Sequence, residues 1–137
     1  MEQESEENGD LYRSFPLFLE MLDSDNAYVR VRGFRLICSQ AKWDEENQIE
    51  RNLKRILNAL DDEKPTNVRQ CLSVLTRITA YKPNLKDAIR IKLNGLELAK
   101  YRDSMQLLIM RDIENVMHIF DNELHQPQGF SIVGEGQ

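Results

Sequence analysis

Few side chains in this sequence have the types and the spacing that catalysis or metal binding requires. The two histidines, His118 and His125, flank Asp121 near the C-terminus. On a helix these three positions share one face and could meet a single metal ion, although the span between the histidines is long for helical ligands. The same spacing fits a solvated polar face at the end of the last helix. We interpret the trio in that second way, with metal binding as the open alternative.

The cysteines and glycines give no catalytic motif. Two cysteines are too few for a disulfide framework, a four-thiolate zinc site or an iron–sulfur cluster. Cys38 and Cys71 fall on apolar helix faces, so we predict small buried core residues and not reactive thiols. The region expected to be ordered contains only Gly33 and Gly95, each predicted within a helix, and this excludes a glycine-rich phosphate loop. We therefore expect no catalytic residue, no cofactor and no metal; an enzyme or a metal protein remains the less favoured alternative.

Basic side chains are the most informative group. No acid occurs over residues 27–42 or 67–82, whereas both segments contain several arginines. At about 100° per residue, Val29, Gly33 and Leu36 share the buried side of the first segment. The opposite sides of the two segments define a predicted partner-binding surface, the basic strip, formed by Tyr28, Arg32, Arg35, Ser39, Lys42, Gln70, Ser73 and Arg77. The alternative is that these residues are ordinary solvated helix faces.

Length and composition exclude several classes of protein. The chain has 137 residues, of which 41% are hydrophobic and 30% charged, as in one soluble globular domain. No stretch approaches the roughly 20 apolar residues of a transmembrane helix. The N-terminus is acidic, which is the opposite of a signal or transit peptide. We therefore expect a cytoplasmic protein that does not bind a membrane.

Charge is distributed unevenly along the chain. Residues 1–10 contain five acids and no base, whereas the remaining 18 acids are balanced by 18 lysines and arginines. A segment of this composition cannot bury enough apolar surface to order itself. We predict an acidic disordered tail over 1–10, a helical domain over 11–125 and a flexible C-terminal tail over 126–137.

Between the tails, apolar residues recur at spacings of three and four, which is the helical period. Proline, asparagine and aspartate divide this pattern into segments. The candidate caps include Ser14 for the first helix, either Asp25 or Asn26 for the second, and Asp44 for the third. Glu45 and Glu46 would then lie in the first turn of the third helix, near the positive end of its dipole. The prediction is an all-α fold of six helices, over about 14–22, 27–42, 44–60, 65–81, 83–101 and 103–120.

The helices repeat. Residues 22–30 align with residues 60–69 if the second turn has one extra residue: in both copies a helix ends in Leu-Asp, an acidic turn follows, and Val-Arg opens the next helix. A period near 40 residues with two helices per unit is typical of a helical solenoid. A third copy, around residues 100–105, keeps the aspartate but lacks Val-Arg.

These residues resemble the HEAT-repeat family, as a small bacterial-type member, over about residues 14–121. The resemblance implies a short right-handed α-solenoid of about three helix pairs, in which each second, or B, helix lines a concave face. It also implies a ladder of turn aspartates and B-helix arginines. By similarity, Asp25 would pair with Arg30, and Asp62 with Arg69.

The favoured function is a non-catalytic interaction or scaffold module that holds an acidic segment of a protein partner on the concave B-helix face. A solenoid of this kind and the lack of catalytic groups both favour it, although fold alone does not determine function. The alternative is nucleic-acid binding through Tyr28, Arg32, Arg35 and Arg77. We expect a monomer, since no feature of the sequence indicates an oligomer.

Overall fold

Helices and turns make up the part of the chain that the structure describes. The computed structural model describes residues 9–125, with side chains up to residue 122. No strand occurs in this range, which confirms the predicted all-α class, and none of its helices is long and apolar enough to cross a membrane. The α-helices are α1 Phe15–Met21, α2 Ala27–Ser39, α3 Gln48–Arg51, α4 Leu53–Leu57, α5 Pro65–Val74, α6 Thr76–Tyr81, α7 Lys86–Asn94 and α8 Asp103–His125.

Short 3-10 helices connect several of these elements. They span Gly9–Ser14, Ala41–Trp43, Asn58–Asp61 and Pro83–Leu85. Gly9 and Asp10, which the sequence assigned to the acidic tail, therefore begin the first of them. The rest of that tail, residues 1–8, and the predicted C-terminal tail, residues 126–137, lie outside the described residues.

Two of the predicted helix starts are confirmed in detail. Asn26 caps α2, because its side-chain oxygen accepts the N–H groups of Tyr28 and Val29 at 2.9 and 3.4 Å. Prolines occupy the first turns of α1 and α5, where the helix does not need their backbone N–H. Ser14 stands at the N-cap position of α1, but its hydroxyl makes no capping hydrogen bond.

Asp44 caps the third predicted helix, although it lies four residues before the first residue of that helix. That helix begins at Gln48 and not at Asp44, and it is divided into α3, α4 and a 3-10 turn. The two carboxylate oxygens of Asp44 accept the N–H groups of Gln48 and Ile49 at 2.8 and 2.9 Å. Glu45 and Glu46 precede the helix, so their predicted place in its first turn is wrong.

Asp44 also connects three distant parts of the chain. Its side chain is fully buried, accepts the Tyr12 hydroxyl and lies 3.6 Å from the Lys82 ammonium. Lys82 additionally donates to the Asp44 carbonyl at 2.6 Å and to the Asn47 side chain at 2.9 Å. Burial, together with the hydrogen bond to Asp44, raises the pKa of Tyr12 to about 12. The phenol is therefore a protonated donor at neutral pH.

Three other predicted helices are also shorter or more divided than expected. The second ends at Ser39, and the fourth is interrupted at Leu75, between α5 and α6. The fifth ends at Asn94, so Gly95 follows the helix and its predicted place within one is wrong. Helix boundaries depend on caps and tertiary contacts, which the apolar period does not report.

The longest helices lie side by side. Helix α2 packs against α1 and α5, and α5 packs in turn against α8. One hydrophobic core includes residues from these and the neighbouring helices, and each large apolar side chain stabilises the fold by roughly 1.5–3 kcal/mol when buried. Core side chains with no solvent exposure include Phe15, Phe34, Ile37, Leu75, Ile78, Ile89, Ile109 and Phe120.

Gly33 lets α1 and α2 approach each other closely. A Cβ atom at this position would lie 2.7 Å from the Met21 Cβ and 3.0 Å from the Phe18 carbonyl oxygen. One of these contacts is with backbone and the other is with the rigid base of a side chain. Any larger residue must therefore push the two helices apart.

We predict that Gly33→Ala lowers the free energy of unfolding by about 1–3 kcal/mol, because overpacking at this contact outweighs the gain in helix propensity. Gly95→Ala is the matched control: its Cβ would meet only backbone atoms at 3.5 Å or more. That control should be neutral or stabilising by up to about 1 kcal/mol. Denaturant unfolding measures both, and equal midpoints for the two variants would contradict the packing argument.

Candidate partner-binding site

The arginines of the basic strip lie on helices that contact each other. Arg32 and Arg35 belong to α2 and Arg77 belongs to α6, which packs against α2. All three side chains are half-buried, and each takes part in a contact with a neighbouring group. Tyr28, in the first turn of α2, is 66% exposed. The strip thus combines anchored guanidinium groups with an exposed aromatic ring.

Ser39 does not belong to this surface. It is only 1% exposed, and its hydroxyl donates to the Leu36 carbonyl at 2.6 Å. Every residue from Leu36 to Ala41 is buried, so the last turn of α2 is enclosed on all sides. The prediction that Ser39 faces solvent is therefore wrong.

The other polar members of the strip are exposed. The Lys42 ammonium lies 5.1 Å from the centre of the Trp43 ring, a cation–π contact at the end of α2. On α5, Gln70 and Ser73 are exposed, and the Ser73 hydroxyl donates to the Gln70 carbonyl at 2.6 Å. Trp43 itself is half-buried.

A groove between α5 and α8 adjoins the strip, and sequence reasoning missed it. It has two parts, of about 370 and 190 Å³, and Arg69 and Asp112 line both. On the α5 side, Ser73 also lines both parts, and Gln70 lines the larger one. Asn115 and Ile119 line the α8 side. The lining residues of α8 from Asp112 to Ile119 are three or four positions apart, which places them on one face of the helix. This spacing is the signal from which the sequence could have predicted one wall of the groove.

Arg30 and Asp62 form a link between α2 and the turn before α5, with a different pairing from the predicted ladder. Arg30 Nε and Nη2 donate to the two Asp62 carboxylate oxygens at 2.8 and 3.2 Å. The Asp25 side chain is exposed, and only its backbone carbonyl accepts from Arg30, at 3.2 Å. Arg69 pairs at 2.7 Å with Asp112 and not with Asp62. Each arginine thus binds an aspartate far ahead of it in the chain, and the predicted pairs are wrong.

Asp62 is the most highly coordinated carboxylate of this link. It also accepts the Lys64 N–H at 2.8 Å and the Asn67 side-chain amide at 3.3 Å. Burial alone would raise the pKa of Asp62, but the hydrogen bonds from Arg30, Lys64 and Asn67 outweigh it and lower that pKa. The ionised carboxylate is therefore the stable form in the fold.

A cleft of about 570 Å³ lies beside this link, and half of the residues that line it are acidic. Besides Asp62, two of these acids are in ion pairs: Asp23 with Arg55 at 2.7 Å, and Asp61 with Lys92 at 2.5 Å. Much of the negative charge is therefore compensated within the chain.

The side chains considered for chemistry are not brought together. Cys38 and Cys71 are 1% and 2% exposed, and burial together with the Asp62 charge raises the pKa of the Cys71 thiol to about 12. Asp121 binds Arg90 at 3.1 Å, His118 is exposed, and the His125 side chain lies outside the described side chains. Within the described residues, no group of three histidine, cysteine or acidic side chains could hold a metal ion.

Arg30→Ala should lower the free energy of unfolding by about 1.5–3 kcal/mol, because it leaves a largely buried carboxylate without its charged partner. The Arg30 and Asp62 side chains are 21% and 6% exposed. The exposed Arg51 gives a control, since Arg51→Ala should change stability by less than about 0.5 kcal/mol. Should Arg30→Ala unfold at the wild-type denaturant midpoint, the link would not be structural.

The same link predicts a dependence on pH. The pKa of Asp62 is lowered by folding from its ordinary value of 3.8, so the carboxylate stabilises the fold fully above about pH 5. That contribution is lost as the pH falls through 3.8 and on through the folded-state pKa. The stability difference between wild type and Asp62→Asn, measured by urea unfolding, should therefore shrink between pH 5 and pH 2. A difference independent of pH over that range would show that folding does not shift this group.

No protein-family model matches the chain, and no curated protein or solved structure shows significant similarity to it. The resemblance to HEAT repeats therefore rests on the sequence of residues 22–30 and 60–69 themselves.

Proposed function

We propose that this chain is a non-catalytic interaction module that binds an acidic segment of a protein partner on the basic strip. The observation that supports it best is that Arg32 and Arg35 lie on α2 and Arg77 lies on α6, two helices in contact. No aspartate or glutamate occurs over residues 27–43 or 65–86. The strip therefore has a positive potential that nothing on its own helices cancels.

The chemistry of arginine favours carboxylates as the ligand. A guanidinium group can donate two parallel hydrogen bonds to one carboxylate, and it is more weakly hydrated than an ammonium group. Half-buried arginines have already lost part of their side-chain freedom on folding, so less conformational entropy remains to be lost on binding. An extended segment with several acids could engage both helices at once.

The HEAT-like arrangement is part of the proposal. Its support is the repeat of residues 22–30 at 60–69, the side-by-side order of α2, α5 and α8, and the arginine–aspartate link from each of these units to the next. In such a stack, the basic strip would lie on the concave face. A cytoplasmic scaffold without enzymatic activity is the role that fits this arrangement.

Nucleic-acid binding is a second candidate, and one observation favours it. The exposed Tyr28 ring lies one turn before Arg32, which is the combination of a stacking platform and a phosphate contact found in single-strand binders. One feature favours the acidic peptide instead. The chain beyond the tail has no net charge, which does not favour tight nonspecific binding to a nucleic acid.

The test uses a fluorescein-labelled decapeptide of glutamate and serine as the acidic probe. Arg32→Glu combined with Arg35→Glu should weaken its binding at least tenfold, because attraction becomes repulsion across the interface. Arg51→Glu combined with Lys54→Glu is the matched control, since both residues are exposed and the net charge changes equally. Fluorescence anisotropy at low salt measures binding in all three proteins.

Arg32→Gln combined with Arg35→Gln guards against an effect on folding, because it removes the charge without introducing repulsion. This milder variant should bind the probe several-fold more weakly while keeping the wild-type circular dichroism spectrum. If both charge-reversed proteins bind the probe equally, the strip is an ordinary solvated helix face. A labelled oligonucleotide that binds more tightly than the peptide, with a steep dependence on salt, would favour the second candidate.

A further inference from the structure

The N-terminal segment enters the described structure beside the basic strip. Gly9 lies against Trp43, where an added Cβ would be 3.1 Å from the ring. The Tyr12 hydroxyl donates to the buried Asp44, which holds this part of the chain in place. Trp43 follows Lys42 of the strip, and the 3-10 helix Ala41–Trp43 packs against α6, which contains Arg77. The residues before Gly9 are thus tethered at one end of the strip.

The charge of this segment is complementary to the strip. Residues 2–8 contain Glu2, Glu4, Glu6 and Glu7 and no base. They are therefore an acidic peptide of the same chemistry that the basic strip would recognise. The acids of residues 1–10 also account for the whole net charge of −5.

The segment is long enough to reach the arginines. Seven extended residues span about 23 Å, whereas α2 rises only about 10 Å from Arg32 to its end at Ser39. A tether this short gives an effective concentration on the order of millimolar. Even an interaction with a dissociation constant near 1 mM would then be occupied about half of the time.

We propose that residues 2–8 bind back onto Arg32, Arg35 and Arg77 and act as a built-in competitor of acidic partners. The competitor role rests on the proposed function, but the docking itself does not. A partner must displace the segment, so its apparent affinity is reduced by the fraction of chains in which the strip is open. Salt weakens the docking and the partner's binding alike, because both depend on the same charges.

Docking is tested directly with a nitroxide label on Ser5→Cys in the full chain. Cys38 and Cys71 are 1% and 2% exposed, so the new cysteine reacts selectively. Amide signals of Arg32, Arg35 and Arg77 should broaden, whereas those around Asn94 on α7 should stay sharp. Changing Glu2, Glu4, Glu6 and Glu7 together to Gln should remove the broadening, and so should high salt.

A mixture of labelled protein and isotope-enriched unlabelled protein identifies the source of the segment. If the segment docks onto its own chain, the amide signals of the unlabelled molecules stay sharp. Broadening of the unlabelled molecules that grows with concentration would mean that the segment binds a second copy, and it would overturn the inference as stated.

Competition is tested with the glutamate and serine decapeptide described above. The four-Gln variant should bind it 3- to 10-fold more tightly than wild type at low salt, with no difference at high salt. The matched control changes four exposed glutamates elsewhere to Gln, namely Glu20, Glu63, Glu97 and Glu114. This control alters the net charge equally and should leave the affinity close to that of wild type.

The two assays distinguish the two proposals. If the labelled chain shows no broadening at Arg32, Arg35 and Arg77, the docking is overturned, while a probe that still binds the strip leaves the proposed function intact. If broadening occurs but the probe binds neither protein, docking is supported and the proposed function is overturned. Equal affinity of wild type and the four-Gln variant would overturn the competitor role.

Discussion

The ion pair between Arg30 and Asp62 joins three turns of the chain at one largely buried point. Arg30 also donates to the carbonyls of Ser24 and Asp25, which fixes the turn between α1 and α2. Asp62 orders the start of α5 through the Lys64 N–H, and the Tyr101 hydroxyl donates to its backbone carbonyl from the loop before α8. Because ionised groups are poorly solvated at such a site, each partner needs the others. The side-by-side placement of α2 and α5, and with it the basic strip, depends on this arrangement.

Local features of the fold were predictable from the sequence, whereas contacts between units were not. The apolar period and the cap at Asn26 report interactions within a few residues, and these parts of the prediction are confirmed. The partner of Arg30 is 32 residues away, and that of Arg69 is 43 residues away. Alignment of the repeats placed an aspartate and an arginine in each unit, but it could not show that the long side chain extends to the following unit.

The candidate site shows the same division. The arginines of the strip were assigned to the correct helices, because composition and period are enough for that. Ser39 was assigned to solvent on the assumption that α2 has one buried side, yet every residue from Leu36 to Ala41 is enclosed. The groove between α5 and α8 required knowledge of which helices are neighbours. A helical wheel describes one helix and has no information about how many others surround it.

The contacts of Asp44 have a consequence for synthesis of the chain. The Asp44 carboxylate accepts a hydrogen bond from Tyr12, which lies 32 residues earlier in the chain. The backbone carbonyl of Asp44 accepts one from Lys82, which lies 38 residues later. Contacts of this sequence separation require large loops to close before they contribute, which slows folding compared with a purely local helical hairpin. On the ribosome, the contacts of Asp44 cannot be completed until Lys82 has left the exit tunnel. The helices α1 and α2, which contact each other directly, do not have to wait for it.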